Sequence, residues 1–208
     1  MFRCFRSLWV PEQARFQDLI RRVRSRDEEA ARELTMRYEN AIRRVVRIHL
    51  RDARVRTVLD SSDVCQSVLA SFFVRTALGQ YELDTPDQLL NLLTTITRNK
   101  LANQVNRLKA QRRDIRKTSG LSSESLEMVD TAPRPDEQIA TSELVEQVYN
   151  RLSPTERYLA EQRTSGRTWQ DLAGELGGTD AAVRKRLSRA LSRVMVELGL
   201  EHGEDIDD

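Results

Sequence analysis

Between Trp169 and Ala190 the chain reads W-Q-D-L-A-G-E-L-G-G-T-D-A-A-V-R-K-R-L-S-R-A, a spacing suited to gripping duplex DNA. A helix-turn-helix needs a small residue where its helices cross, and Ala173 supplies it. It needs a residue that tolerates the turn, and Gly177 follows four positions later. It needs an apolar anchor on the second helix, and Val183 lies six further on. Leu172, Leu176 and Leu187 are expected to fill the space between the helices. Thr179 or Asp180 caps the second helix, whose outer face bears Arg184, Lys185, Arg186, Arg189 and Arg193. Such a helix fits the major groove, its first turns near base edges and its later arginines on phosphates. Thr179, Ala181, Arg184, Lys185, Arg186 and Arg189 are the candidate contacts. A helical hairpin with a solvated basic face has the same spacing, so a second signal is needed.

Residues 98–117 provide it. Eight Lys and Arg stand there against the single acid Asp114, a net +7, interleaved with Asn99, Asn103, Gln104, Asn106 and Gln111. Charge runs are usually solvated faces, but this one grows out of a helix with an apolar stripe. Amides and cations along one helix suit base edges and phosphates together. Arg98, Asn99, Lys100, Asn103, Asn106 and Arg107 are the candidates.

Enzyme chemistry finds little material. The two histidines are His49, which ends an apolar helical face and is expected in the core, and His202 near the C-terminus. Ser61, Ser62 and Ser153 have helix-capping explanations, with no base arranged to activate them. The acids show no paired-carboxylate or metal-ligand spacing, so neither catalysis, nor a metal, nor a cofactor is expected. Cys4 and Cys65 lie far apart and form no C-x-x-C, which points to a reducing compartment.

These surfaces must be carried by helices. The chain has 208 residues, 32% charged and 5% aromatic, with few glycines and prolines. An all-α fold of two small domains is expected. Helical periodicity starts near Pro11. A second helix is expected from about Asp27 to Leu50, with Ala30, Leu34, Tyr38, Ala41, Ile42, Val45 and His49 on its apolar face. A third starts at Asp60-Ser61-Ser62, a loop follows over Gly79–Asp87, and a fourth helix runs from Asp87 to about Lys117. From Thr118 to Gln147 seven acids face one Arg, so a formal charge of only +2 hides a basic strip beside an acidic tether. The first part of that stretch reads as a flexible linker. The expected division is 13–117, linker 118–137, and 138–200. With about sixty residues, the last unit is near the lower limit for a self-supporting core. No apolar run is long enough to span a membrane, and the basic start lacks the pattern of a signal peptide, so a cytoplasmic location is expected.

The order of these segments resembles the extracytoplasmic-function (ECF) group of bacterial RNA polymerase sigma factors, of the sigma-70 family, over residues 13–200. D-S-S-D-V-C-Q-S-V-L, Asp60 to Leu69, is similar to that family's polymerase-binding helix. L-L-T-T-I-T-R-N-K-L-A-N, Leu92 to Asn103, is similar to the helix that reads the downstream promoter element. L-S-P-T-E-R followed by the helix-turn-helix resembles the upstream-element reader. The resemblance implies a transcription initiation factor with core RNA polymerase and promoter DNA as partners, and it also allows an anti-sigma factor. It implies that Asp60, Asp63 and Gln66 contact polymerase. It further implies that Tyr81, in the Gly79–Gln88 loop, receives a flipped base of the melted strand, and that the linker threads toward the RNA exit path. The family often has Trp at Leu92, an aromatic near Leu89 and Asp at Asn103. Here the helix from Pro86 to Ala110 has no aromatic, so melting would rest on the loop and the basic face. Two other readings differ in class: a dimeric helix-turn-helix regulator acting without polymerase, and a nucleic-acid enzyme.

Overall fold

Among the described residues the protein has eight α-helices and no strand. The computed structural model describes residues 12–49, 60–118 and 141–201, the side chains of 109–118 excepted. The expected linker beyond Thr118, the N-terminal segment with Cys4, the acidic C-terminal stretch with His202, and the basic side chains from Lys109 to Lys117 therefore lie outside the described residues. No described helix is long and apolar enough to cross a membrane.

Four helices form the first lobe: α1 (Glu12–Arg24), α2 (Glu28–His49), α3 (Ser61–Ala77) and α4 (Pro86–Thr118). Asp27 starts α2 by accepting from the backbone N–H of Glu29 (2.9 Å) and Ala30 (3.0 Å). Its other carboxylate oxygen takes a hydrogen bond from Arg22 Nε at 2.8 Å. That bond, with the backbone donors, holds the Asp27 carboxyl below its ordinary range. Phe16, Ile20, Leu34, Ile42, Val68, Phe72, Leu89 and Leu93 pack as the centre of the lobe. The buried stripe of α2 differs from the expected one. It steps by four through Leu34, Tyr38, Ile42 and Val46, leaving Val45 half-buried and His49 exposed. His49 is thus no core residue: its Nδ1 donates to the Val45 carbonyl at 2.9 Å. A row of i+4 steps follows one face of a 3.6-residue helix, and the expected path strayed when it stepped from 42 to 45 and 49.

The second lobe contains α5 (Thr141–Arg151), α6 (Pro154–Thr164), α7 (Trp169–Leu176) and α8 (Asp180–Glu197). Its buried cluster joins Val145, Val148, Leu159, Leu172, Leu187, Leu191, Val194 and Met195 with Val74, Ala77 and Leu78 from the end of α3. One helix therefore feeds two cores. As far as Phe73 it gives Val64, Val68 and Phe72 to the first lobe, while its end, from Val74 to Leu78, lies beneath the second. Every residue from Ser71 to Gly79 is buried, as expected of a helix covered on all sides. A unit of about sixty residues gains from this borrowed surface, because so short a chain buries too little of its own.

Polar contacts accompany the apolar ones across the junction. Arg75 Nη2 donates to Glu201 Oε2 (2.8 Å) and to Ser192 Oγ (2.7 Å), all three residues being buried. Ser71 Oγ donates to Glu201 Oε1 at 2.8 Å. Arg163 of α6 reaches the Gly79 carbonyl (3.2 Å) and Glu82 (2.6 Å). Gln80 Nε2 donates to Ser188 Oγ at 3.2 Å. Gly79 has φ +77°, and a Cβ there would stand 2.5 Å from the Cβ of Arg163. Only glycine permits both that backbone and that approach.

Candidate nucleic-acid interface

The second-lobe surface is assembled by local rules. Thr168 Oγ1 accepts from the Asp171 backbone N–H (3.2 Å), and the Asp171 carboxylate accepts from the Thr168 N–H (3.0 Å). This reciprocal box starts α7 and pulls the Asp171 carboxyl below its usual range, chiefly through the Thr168 hydroxyl. Gly177 (φ +74°) and Gly178 (φ +121°) make the turn in a backbone region that side chains disfavour. Thr179 Oγ1 then caps α8, accepting from Ala182 N–H at 3.2 Å, and Asp180 Oδ1 accepts from Ala181 N–H at 2.8 Å. Ala173, Val183, Leu172 and Leu187 are buried at the crossing as expected. Leu176 departs from expectation. It is the last residue of the short α7 and remains 38% exposed.

The geometry leaves Thr179, Ala181, Arg184, Lys185, Arg186 and Arg189 exposed on α8. Arg193, on the same helix, is paired with Glu156 (2.9 Å) and Glu197 (3.0 Å). A groove runs along the helix between Glu156 and the side chains of Lys185, Arg186 and Arg189. Trp169 is a contributor that the sequence reading missed. Its buried ring lies 4.3 Å from the Arg163 guanidinium and 5.8 Å from that of Arg184. Cation–π attraction thus ties the first candidate arginine to the start of α7. A tryptophan opening the first helix of the pair was the available signal.

On α4 the candidates divide. Arg98, Asn99, Asn106 and Arg107 are exposed and Asn103 is half-buried, with the buried Lys100 and Leu101 between them in sequence. Lys100 is only 6% exposed, and its Nζ donates to the Leu200 carbonyl at 3.1 Å. The reason is periodic. Leu93, Thr97, Lys100 and Leu101 share the buried face at steps of four, three and one, so Lys100 falls on the inner side of the helix. Tyr81 is also turned inward. Its half-buried ring stacks on Phe72 with centroids 6.4 Å apart and planes 12° apart. Burial pushes its phenol above the ordinary range. The Tyr81 carbonyl accepts from Arg24 Nη2 at 2.8 Å, which fixes the loop to α1.

A third group of candidates sits at the start of α3. Asp60 caps the helix, accepting from Ser62 N–H at 2.8 Å. Asp63 and Gln66 are exposed three residues apart, hence on one face. Between them and the core lies Cys65, a buried thiol whose pKa burial raises to about 11. No group of three or more metal-binding side chains occurs among the described residues.

These surfaces can be set beside known proteins. A family model for ECF sigma factors matches residues 13–199, spanning both lobes and all three groups of candidates. No curated protein and no solved structure gives a match. The chain therefore belongs to the ECF sigma factor family, whose members associate with RNA polymerase and recognise promoters for transcription initiation.

Proposed function

We propose that the two lobes divide promoter recognition between them. The second lobe reads the upstream (−35) element by laying α8 in the major groove. Ala181 and Arg184 lie nearest base edges, while Lys185, Arg186 and Arg189 serve edges and backbone. The first lobe grips core polymerase with Asp63 and Gln66 and holds the opened downstream (−10) strand against α4. There Arg98 and Arg107 meet phosphates, and Asn99, Asn103 and Asn106 offer donors and acceptors to bases. The observation that carries this reading is α8 itself. It has a capped and rigid N-terminal turn followed by four exposed cations, with the fifth, Arg193, tied back by acids.

The sequence of α4 contains no aromatic residue, and Tyr81 is stacked on Phe72. Holding the opened strand by this lobe therefore relies on the polar and cationic side chains, and Tyr81 joins them when the 79–85 loop releases it. The Asp60 carboxylate, occupied as a helix cap, positions Asp63 and Gln66 for polymerase. The test is direct. Asp63→Ala with Gln66→Ala should lower the amount of core polymerase retained on the immobilised factor while leaving its helicity unchanged. Undiminished retention would remove those residues from the polymerase contact.

A further inference from the structure

Arg193 ends a row of cations. Along α8, Arg186, Arg189 and Arg193 follow at steps of three and four and so share one face, with Lys185 beside them. All four line one groove together with two small residues, Ala182 and Ala190. A single acid stands among them, Glu156 from the first turn of α6. The row thus has four cations, and the last is already engaged: Arg193 Nη2 donates to Glu156 Oε2 at 2.9 Å.

Glu156 is a fixed acid, unlike a carboxylate waving in solvent. The Ser153 backbone N–H donates to the same oxygen at 2.8 Å, as part of the box that starts α6. The Glu156 side chain is only 17% exposed. Burial alone would raise its carboxyl, but the Ser153 donors and Arg193 outweigh burial and hold it below its usual range. The second acid on Arg193 is of another kind. Glu197 lies one turn further along the same helix and is 49% exposed, an arrangement that contributes little.

Resting on the reading of α8 as a DNA surface, we propose that Glu156 limits the DNA affinity of this chain. It holds Arg193 away from the phosphodiester backbone, so α8 neutralises one phosphate fewer than its row of cations would allow. Lys185, Arg186 and Arg189 make the groove attractive to a backbone phosphate, and Arg193 is aligned to take the next one. A carboxylate fixed in the same wall claims that arginine and repels the phosphate it would bind. A factor that works bound to polymerase gains from such a restraint. Affinity for any duplex rises with each phosphate neutralised, whatever the sequence. One contact fewer therefore keeps the free chain from being held on DNA before it meets polymerase. Base reading by Ala181 and Arg184, at the other end of α8, is left alone.

The restraint can be measured by titrating the full-length chain onto a labelled random-sequence duplex while salt rises from roughly 50 to 200 mM. Glu156→Gln discards the charge but keeps the cap, because an amide oxygen accepts the Ser153 N–H as a carboxylate does. With helicity unchanged, it should bind several-fold more tightly at low salt. Its log affinity should also fall more steeply against log salt, by about 0.9, as one added phosphate contact requires. Arg193→Ala should match the wild type, and adding it to Glu156→Gln should cancel the gain. Glu197→Gln removes an equal charge from the exposed partner and should leave the slope where it was. An unchanged slope in Glu156→Gln would overturn the proposal. So would a gain that survives Arg193→Ala, or an equal gain from Glu197→Gln. Failure of the underlying reading looks different: if the wild type and Glu156→Gln alike show no salt-dependent hold on duplex, α8 is not a DNA surface and both ideas fall.

Discussion

Helices α8 and α4 were both assigned to DNA, but they are differently exposed. On α8 every candidate side chain is in solvent, behind a capped turn and over a core of Leu172, Val183 and Leu187. On α4 the same kind of residue is split, Arg98 and Asn99 outside and Lys100 held by a backbone carbonyl of the other lobe. A binding surface takes its shape from whatever packs behind and beside it. The α8 surface follows from the local rules of one continuous segment, Trp169 to Ala190. The α4 surface depends on what the second lobe does, and a charged residue at the right place in sequence can be bound internally.

That contrast can be sharpened by perturbing each lobe. The largest effects should come from the cores. Phe72→Ala removes a fully buried ring that also supports Tyr81, and Leu191→Ala empties the centre of the second cluster. The expected costs are about 3–5 and 2–5 kcal/mol respectively, measured by chemical denaturation. Because α3 serves both clusters, Phe72→Ala should unfold the two lobes in one transition. Two separate transitions in the wild type would show that the shared helix does not couple them.

Next in size are the groove-reading arginines. Arg184→Ala and Arg186→Ala should each weaken discrimination of the cognate upstream element by roughly 1–3 kcal/mol if the side chain reads a base. Competitive binding of polymerase holoenzyme to matched and scrambled promoter fragments would measure it. Equal losses on both fragments would place the residue on phosphate instead. Thr179→Ala should cost about 0.5–2 kcal/mol through loss of the α8 cap, seen as a lower melting temperature of the second lobe.

Much of this was legible in the sequence. The limits expected for α2 and α4, and the starts expected for α1 and α3, fall within a few residues of those observed, because caps and breakers mark them: Asp27 before α2, Asp60 before α3, Pro86 at the start of α4. What escaped was what distance in sequence conceals. Val74, Ala77 and Leu78 look like the tail of a first-lobe helix, and only the folded chain shows that they complete the second core. Glu201 lies just past the expected end of the second unit at residue 200, and it is buried against Arg75, 126 residues away. Lys100 could have been placed correctly, since it shares a helical face with Leu93 and Thr97. Its charge outweighed its position in the reading.

The smallest effect concerns Cys65, at the back of the helix assigned to polymerase. Its thiol pKa, raised by burial to about 11, keeps it neutral and unreactive. Alkylation of the native protein at pH 8 should be much slower than in denaturant. The sign of the linked stability follows from the raised value. The contribution is fully present below the unfolded thiol's pKa and is lost as pH rises from there toward 11. Rapid labelling of the native chain would mean that α3 opens readily.

As a member of the ECF sigma factor family, this chain should direct RNA polymerase to chosen start sites. The most direct measurement combines purified factor, core polymerase and genomic DNA fragments, and sequences the 5′ ends of the transcripts. A small set of defined starts, preceded at a fixed spacing by two shared elements and absent without the factor, is the predicted result. Start sites no different from those of core polymerase alone would contradict it.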